Sequence, residues 1–285
     1  MFEEDFAATV EESLGFYPSY IAAVSEYPAY RSLLWRETQR VVTAPWAGDA
    51  AAELARAAQS SVDAAVPDER LPDVSRVSAD EAALDSTVRF FSFVVFRLGL
   101  GITACRYALD GPETLRAHRR ALPETESTLG ARIERGVEST PSLDFAVSLV
   151  HPSEADDVVT AAYDRVLTEL KTPNVNNIFR ALAASPATLS TVVDAQVALY
   201  DAVESRAAFE RRLRGWYATV LAANDAPANH RAALRAEGYG REDVDAVAAT
   251  VRAYHENLPT LVTTLLLARQ LTAHDDPSSK PNEQQ

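Results

Sequence analysis

The run from Phe90 to Cys105 constrains this chain most. Phe90, Phe91, Phe93, Val94, Val95 and Phe96 lie almost side by side, with Arg97 as the one charge. A helix apolar on nearly every side has no face to offer water, so it belongs in the middle of a bundle. Arg97 and the polar residues around it make a buried helix a better reading than a membrane span. Ser78 followed by Glu81 is a capping box that starts this helix near Ala79, and Asp110-Gly111-Pro112 ends it. The chain has 285 residues and is 47% hydrophobic, enough to surround such an element.

A second device organises the rest. In PNVNNIFRALAASP, residues 173–186, two prolines bracket a short helix whose Val175, Ile178, Phe179 and Leu182 fall on one face. Asn174, Asn176 and Asn177 crowd its start, where side-chain amides cap free N–H groups or face an anion. Pro186 stops this helix and suits the first turn of the next. GFYPSYIAAVSEYP, residues 15–28, repeats the device. Laying it on the later copy puts Tyr17, Tyr20, Ile21 and Val24 on Val175, Ile178, Phe179 and Leu182. The same offset pairs Pro28-Ala29 with Pro186-Ala187, and Trp35 with Val193. At a slightly longer offset, Thr87-Val88-Arg89 matches Thr250-Val251-Arg252. Matches in one order at nearly one offset point to a duplicated helical unit.

Read in order, the chain gives helices at 3–13, 18–26, 28–42 and 49–66, then the long apolar helix. One or two short surface helices follow within 112–142. Helices come next at 153–170, 175–185, 187–203 and from Ser205, with a long closing helix at 241–273 broken or kinked at Leu258-Pro259. No stretch alternates with period two between turn signals, so the fold class is all-α. The expected architecture is two related helical bundles forming a pseudo-dimer. They comprise residues 1–145, a degenerate copy, and 150–273, with an apolar crevice where they meet and a disordered tail at 274–285. The boundary falls near 138–153.

Net charge is −14, and two lysines, Lys171 and Lys280, stand among 27 basic residues. Acid excess with so little lysine resembles proteins of extreme halophiles, and a haloarchaeal-like origin is expected. A phosphate-binding role is disfavoured and no nucleic-acid partner is expected, because no basic stripe exists to release counterions. The acidic N-terminus MFEEDF has no signal-peptide core and Cys105 is the lone cysteine, so a soluble, cytoplasmic protein is expected, with no membrane partner.

Few residues suggest chemistry. The histidines His118, His151, His230, His255 and His274 lack ligand spacing and read as surface or cap residues, so no metal is expected. No phosphate loop exists; Gly99-Leu100-Gly101 reads as a place of close helix packing. Cys105 has no neighbouring base and reads as a small buried hydrophobe. Asp164, in AAYDRVLTEL, lies just upstream of the asparagines on a helix with an apolar face. A carboxylate partly desolvated in a crevice can take a proton from water, with Asn176 or Asn177 holding that water or a substrate carboxylate. The competing reading is a solvated Asp164 paired with an arginine, and asparagines that only cap. Tyr254 and Asn257 flank the Pro259 break, where a pocket can open.

The run AAYDRVLTELKTPNVNNIFRALAASPATL, with Ala253-Tyr254-His255-Glu256-Asn257-Leu258-Pro259 later, resembles the group I 2-haloacid dehalogenases, the DehI type. The resemblance covers most of residues 155–270 and is faint over 1–110. It implies an all-α pseudo-dimer that acts on short 2-halocarboxylic acids. It implies no cofactor, and a homodimer is allowed for. Asp164 would activate water for direct attack on the halogen-bearing carbon, and Asn176 or Asn177 would orient that water or bind the carboxylate. Trp35, Tyr17 and Phe16, with Tyr254, would line the apolar side where halide leaves, and Asn257 joins the substrate-binding set. The first copy departs from the pattern, with Pro18 and Ser19 where the second has Asn176 and Asn177. This leaves a second expectation, a catalytically inactive protein that binds a small acid or a protein partner. Residues 12–40 also resemble the AhpD-like proteins, whose redox CxxC this chain lacks.

Overall fold

The computed structural model describes residues 3–14, 16–65, 81–122, 149–200, 203–224 and 228–273. Among the described residues there are twelve α-helices, a 3-10 turn at Pro152–Glu154 and no strand, so the fold is all-α. The first six helices are α1 (Glu3–Leu14), α2 (Ser19–Ala22), α3 (Pro28–Val42), α4 (Ala47–Ala65), α5 (Glu81–Asp110) and α6 (Pro112–Arg120). The last six are α7 (Asp157–Thr168), α8 (Asn177–Leu182), α9 (Pro186–Tyr200), α10 (Val203–Asn224), α11 (His230–Ala236) and α12 (Arg241–Ala273).

The starts of these helices follow from local chemistry. Pro28 and Pro112 stand in the first turns of α3 and α6, where a missing N–H costs nothing. Asp156 Oδ1 accepts from the Val159 N–H at 2.8 Å and caps α7; Asn229 Oδ1 accepts from the Ala232 N–H at 3.0 Å and caps α11. Expected helix 18–26 stops early, at Ala22. There the bonding tightens to three-residue steps, with Val24 N–H to Ile21 O at 3.3 Å and Ser25 N–H to Ala22 O at 3.1 Å. Expected helix 175–185 is likewise only Asn177–Leu182.

The expected break at Leu258-Pro259 is absent, because α12 continues through Pro259 as one helix. Proline removes one backbone donor. Leu258, Val262, Leu265 and Leu266 are all buried around it, so packing on both sides holds the helix together.

At the centre, α5 and α12 pack against each other more extensively than any other described pair. Helix α5 also carries α3 and α4, while α12 carries α9. Leu84–Asp110 is long and apolar enough to cross a membrane, yet most of it is covered by the bundle. Gly99 and Gly101 allow this closeness: a Cβ on Gly101 would stand 2.9 Å from Thr38 Cγ2, and one on Gly99 would collide with the Tyr217 hydroxyl. Helices of 12, 4, 15, 19 and 30 residues, α1 to α5, are echoed by 12, 6, 15, 22 and 33 in α7 to α10 and α12. The connection 67–78 with its capping box, most of the boundary near 138–153 and the tail 274–285 lie outside the described residues.

Candidate functional site

The starts of α2 and α8 meet beside the α5–α12 pair and leave a pocket of about 70 Å³. From α5 come Phe91, Val95, Leu98 and Ile102, one stripe at helical spacing, with Gly99 opening room between them. From α12 come Tyr254, Leu258 and Leu261. Phe16, Pro18 and Ser19 close one side, Asn176, Asn177 and Ile178 the other. The wall is apolar except for a few amides and hydroxyls gathered at one edge. A single water needs roughly 10–15 Å³ on this scale, so the pocket suits a molecule of a few heavy atoms.

Those polar groups bond to one another. Ser19 Oγ donates to Asn176 Oδ1 at 3.0 Å. Asn176 Nδ2 donates to the Asn174 carbonyl at 3.3 Å, and Asn174 Nδ2 donates to the Tyr254 hydroxyl at 2.9 Å. Burial raises the Tyr254 phenol above its ordinary range, and a hydrogen bond with Ser19 opposes that shift. Tyr254, Ser19, Asn176 and Asn174 thus close a ring of contacts that ties α2 to α12. Asn177 is engaged at both ends of its amide: Nδ2 donates to the Tyr17 carbonyl at 3.3 Å, and Oδ1 accepts from Arg180 Nη1 at 3.3 Å. Asn176 stands at the N-cap of α8 without making a side-chain cap bond.

The predicted site residues divide. Phe16, Asn176, Asn177 and Tyr254 meet on the pocket wall. Tyr17 is off the pocket wall: its backbone carbonyl accepts from Asn177, and its ring turns edge-on to Phe6 at 6.5 Å. Trp35 is buried in the core, off the pocket wall. Asn257 lines a different, larger pocket on the neighbouring face of α12. Asp164 is exposed on α7 and lines neither pocket, which corrects the expectation of a desolvated base. The buried side of α7 is Val159, Ala162, Tyr163 and Val166, and at about 100° per residue Asp164 lies roughly 140° around from Val159.

Sequence reasoning gave Ser19 no role. The structure places it at the start of α2, where its hydroxyl meets Asn176 at the start of α8. Nor did sequence reasoning single out Ile102 or Phe91, which read only as core.

Two histidines correct the expectation of surface positions. His255 is fully buried, its ring stacked on His118 with centroids 6.0 Å apart and planes within 3°. Arg106 Nη1 lies 3.0 Å from His255 Nδ1, and the Tyr107 hydroxyl 2.8 Å from His118 Nδ1. His230 is buried against Tyr30 with neither ring nitrogen partnered. Burial lowers all three, His230 to about 4 and His255 well below the usual imidazole value. Among the described residues no three or more His, Cys, Asp or Glu side chains gather as metal ligands. Cys105 is fully buried near Thr38, and burial pushes its thiol far up, away from nucleophilic use.

No family profile and no curated protein matches the sequence. Solved structures do match. One, a D-2-haloacid dehalogenase mutant in complex with D-2-CPA, aligns over 95% of this chain and 93% of its own at 16% identity, with a TM-score of 0.72. A second, a D-2-haloacid dehalogenase with L-LA, aligns over 95% and 93% at 16% identity, with a TM-score of 0.70. A third, another mutant of such an enzyme, gives 94%, 91%, 16% and a TM-score of 0.65. Across nearly its whole length, the chain shares the fold of the D-2-haloacid dehalogenases.

Proposed function

We propose that this chain is a 2-haloacid dehalogenase-like protein whose seam pocket binds a short 2-halo- or 2-hydroxycarboxylic acid. The unit is read as two related copies, 1–145 and 150–273, and the echo of helix lengths and the facing starts of α2 and α8 support that reading. The small apolar cavity takes the carbon body and its substituent. The edge formed by Ser19, Asn176, Asn177 and Tyr254 meets the carboxylate.

One observation carries the choice between binding and turnover: among the described residues, the pocket wall holds no aspartate or glutamate. Hydrolytic displacement needs a base within reach of the attacking water, and Asp164 is exposed elsewhere. Binding without aspartate-driven hydrolysis is therefore the reading that the geometry supports best. The second reading, hydrolysis of short 2-halocarboxylic acids, is favoured by the fold likeness to D-2-haloacid dehalogenases.

Two measurements separate them. Calorimetric titration with each enantiomer of lactate and 2-chloropropionate should give saturable binding that Ile102→Phe, which fills the cavity, weakens at least tenfold. Halide release from 2-chloropropionate and 2-bromopropionate should stay at the level of buffer. Release that Asp164→Ala abolishes would establish the hydrolytic reading instead. Absence of any binding would sink both the pocket's role and its ligand class.

A further inference from the structure

The pocket that holds Asn257 encloses about 460 Å³ and shares no lining residue with the seam pocket. Its charged wall is unlike the rest of this acidic chain. Lys171, Arg206 and Arg214 face it, against Glu210 and Glu256. Arg206, Glu210 and Arg214 stand four residues apart on one stripe of α10. Glu210 takes Arg206 Nε at 2.8 Å and Arg214 Nη2 at 2.7 Å, so two guanidinium groups share one carboxylate. Glu256 is joined to Arg106 at 3.3 Å. The wall therefore keeps positive charge in excess, within a protein whose net charge is −14.

Three features prepare this wall for a guest. The Arg206 guanidinium carbon stands 4.1 Å over the Tyr200 ring. Lys171, one of two lysines in the chain, stands at φ 56°, a left-handed position that ordinarily takes glycine. Asn257 is 5% exposed, and neither its Oδ1 nor its Nδ2 has a partner. Buried amides are almost always satisfied, and one that is not marks a place where something else belongs.

We propose that this pocket is a binding site for a small oxyanion, a carboxylate or phosphate group. Arginine's planar fork matches paired oxygens, and Lys171 adds charge at the rim. The inference uses none of the seam residues, so it stands or falls apart from the function proposed above.

The test is calorimetric titration of the full chain with inorganic phosphate and, separately, acetate, at ionic strength fixed with potassium chloride. At least one should bind saturably. Arg206→Gln should weaken binding about tenfold. Lys171→Gly should weaken it severalfold while keeping the fold intact, because glycine suits that φ. Ile102→Phe, which fills the seam, should change nothing here. Phosphate alone binding assigns a phosphate group; acetate alone assigns a carboxylate. No saturable binding of either anion overturns the proposal, as does binding unmoved by both Lys171→Gly and Arg206→Gln. Binding lost with Ile102→Phe but kept in those two variants moves the anion to the seam and also overturns it.

Discussion

Ser19 Oγ donates to Asn176 Oδ1 across 3.0 Å, joining residues 157 positions apart in the chain. This bond fastens the start of α2 to the start of α8 at the edge of the seam pocket. Ser19→Ala leaves the Asn176 oxygen without that donor in a half-buried setting. The expected cost is about 1 kcal/mol of stability, read as a lower urea midpoint with unchanged slope. Ser19→Thr, which keeps the hydroxyl, should lose less.

Gly99 should not tolerate a side chain. A Cβ there would press into the Tyr217 ring and hydroxyl, both fully buried. Gly99→Ala is expected to destabilise by about 1–3 kcal/mol, seen as a drop in thermal midpoint. Tyr217→Phe removes a buried hydroxyl that has no partner. It should be neutral or stabilising by itself and should recover part of the loss in the double variant.

Asp110 anchors the end of α5 to α12. Its carboxylate accepts from Arg106 Nε at 3.1 Å and from Arg252 Nη2 at 2.9 Å, and the Arg106 side chain is 9% exposed. Asp110→Ala strands a buried guanidinium, whose remaining carboxylate neighbour, Glu256, is half exposed. A loss of about 3–5 kcal/mol is expected in equilibrium denaturation. Asp110→Asn, which keeps the acceptor oxygen, should fall between it and the parent.

Acid should weaken the fold through its buried histidines. For His230, burial lowers the folded-state value to about 4, and the nearby Arg36 and Arg40 add to this while Glu37 opposes it. An unfolded histidine titrates near 6.5. Between those values the unfolded chain binds a proton that the folded ring refuses. Stability is therefore complete above about pH 6.5 and falls as pH drops toward 4. The loss from His230 alone is on the order of 3 kcal/mol, and His118 and His255 add to it in the same direction. Denaturation across this window should show His230→Phe with a shallower pH slope than the parent. A directly measured His230 titration near 6.5 would remove this explanation.

Much of the bundle was legible because its punctuation is local. Pro28, Pro186 and Pro112 set helix starts from their own ring geometry, and the apolar run of α5 could only be central. Gly99 and Gly101 read correctly as close packing because nothing else asks for glycine inside such a helix. The site was legible in part. Phe16, Asn176, Asn177 and Tyr254 line one pocket wall, where the starts of α2 and α8 meet α12. Asp164 was misread by nearness in sequence, although helical phase already put it opposite Val159 and Val166. Asn257 borders the stripe of Tyr254, Leu258 and Leu261, roughly 40° around α12 from Leu261, and the structure puts it on another cavity. Ser19 was passed over because a single hydroxyl in a short helix carries no pattern; only its distant partner gives it meaning.

The closed ring of Tyr254, Ser19, Asn176 and Asn174 has a consequence for selectivity. Ser19, Asn176 and Tyr254 each already have a partner inside the protein, so beyond the second N–H of an amide the guest's head competes with internal bonds. Discrimination between a charged acid and its neutral amide should then be slight. The dimensions of the cavity, rather than the formal charge of the visitor, decide which molecules stay.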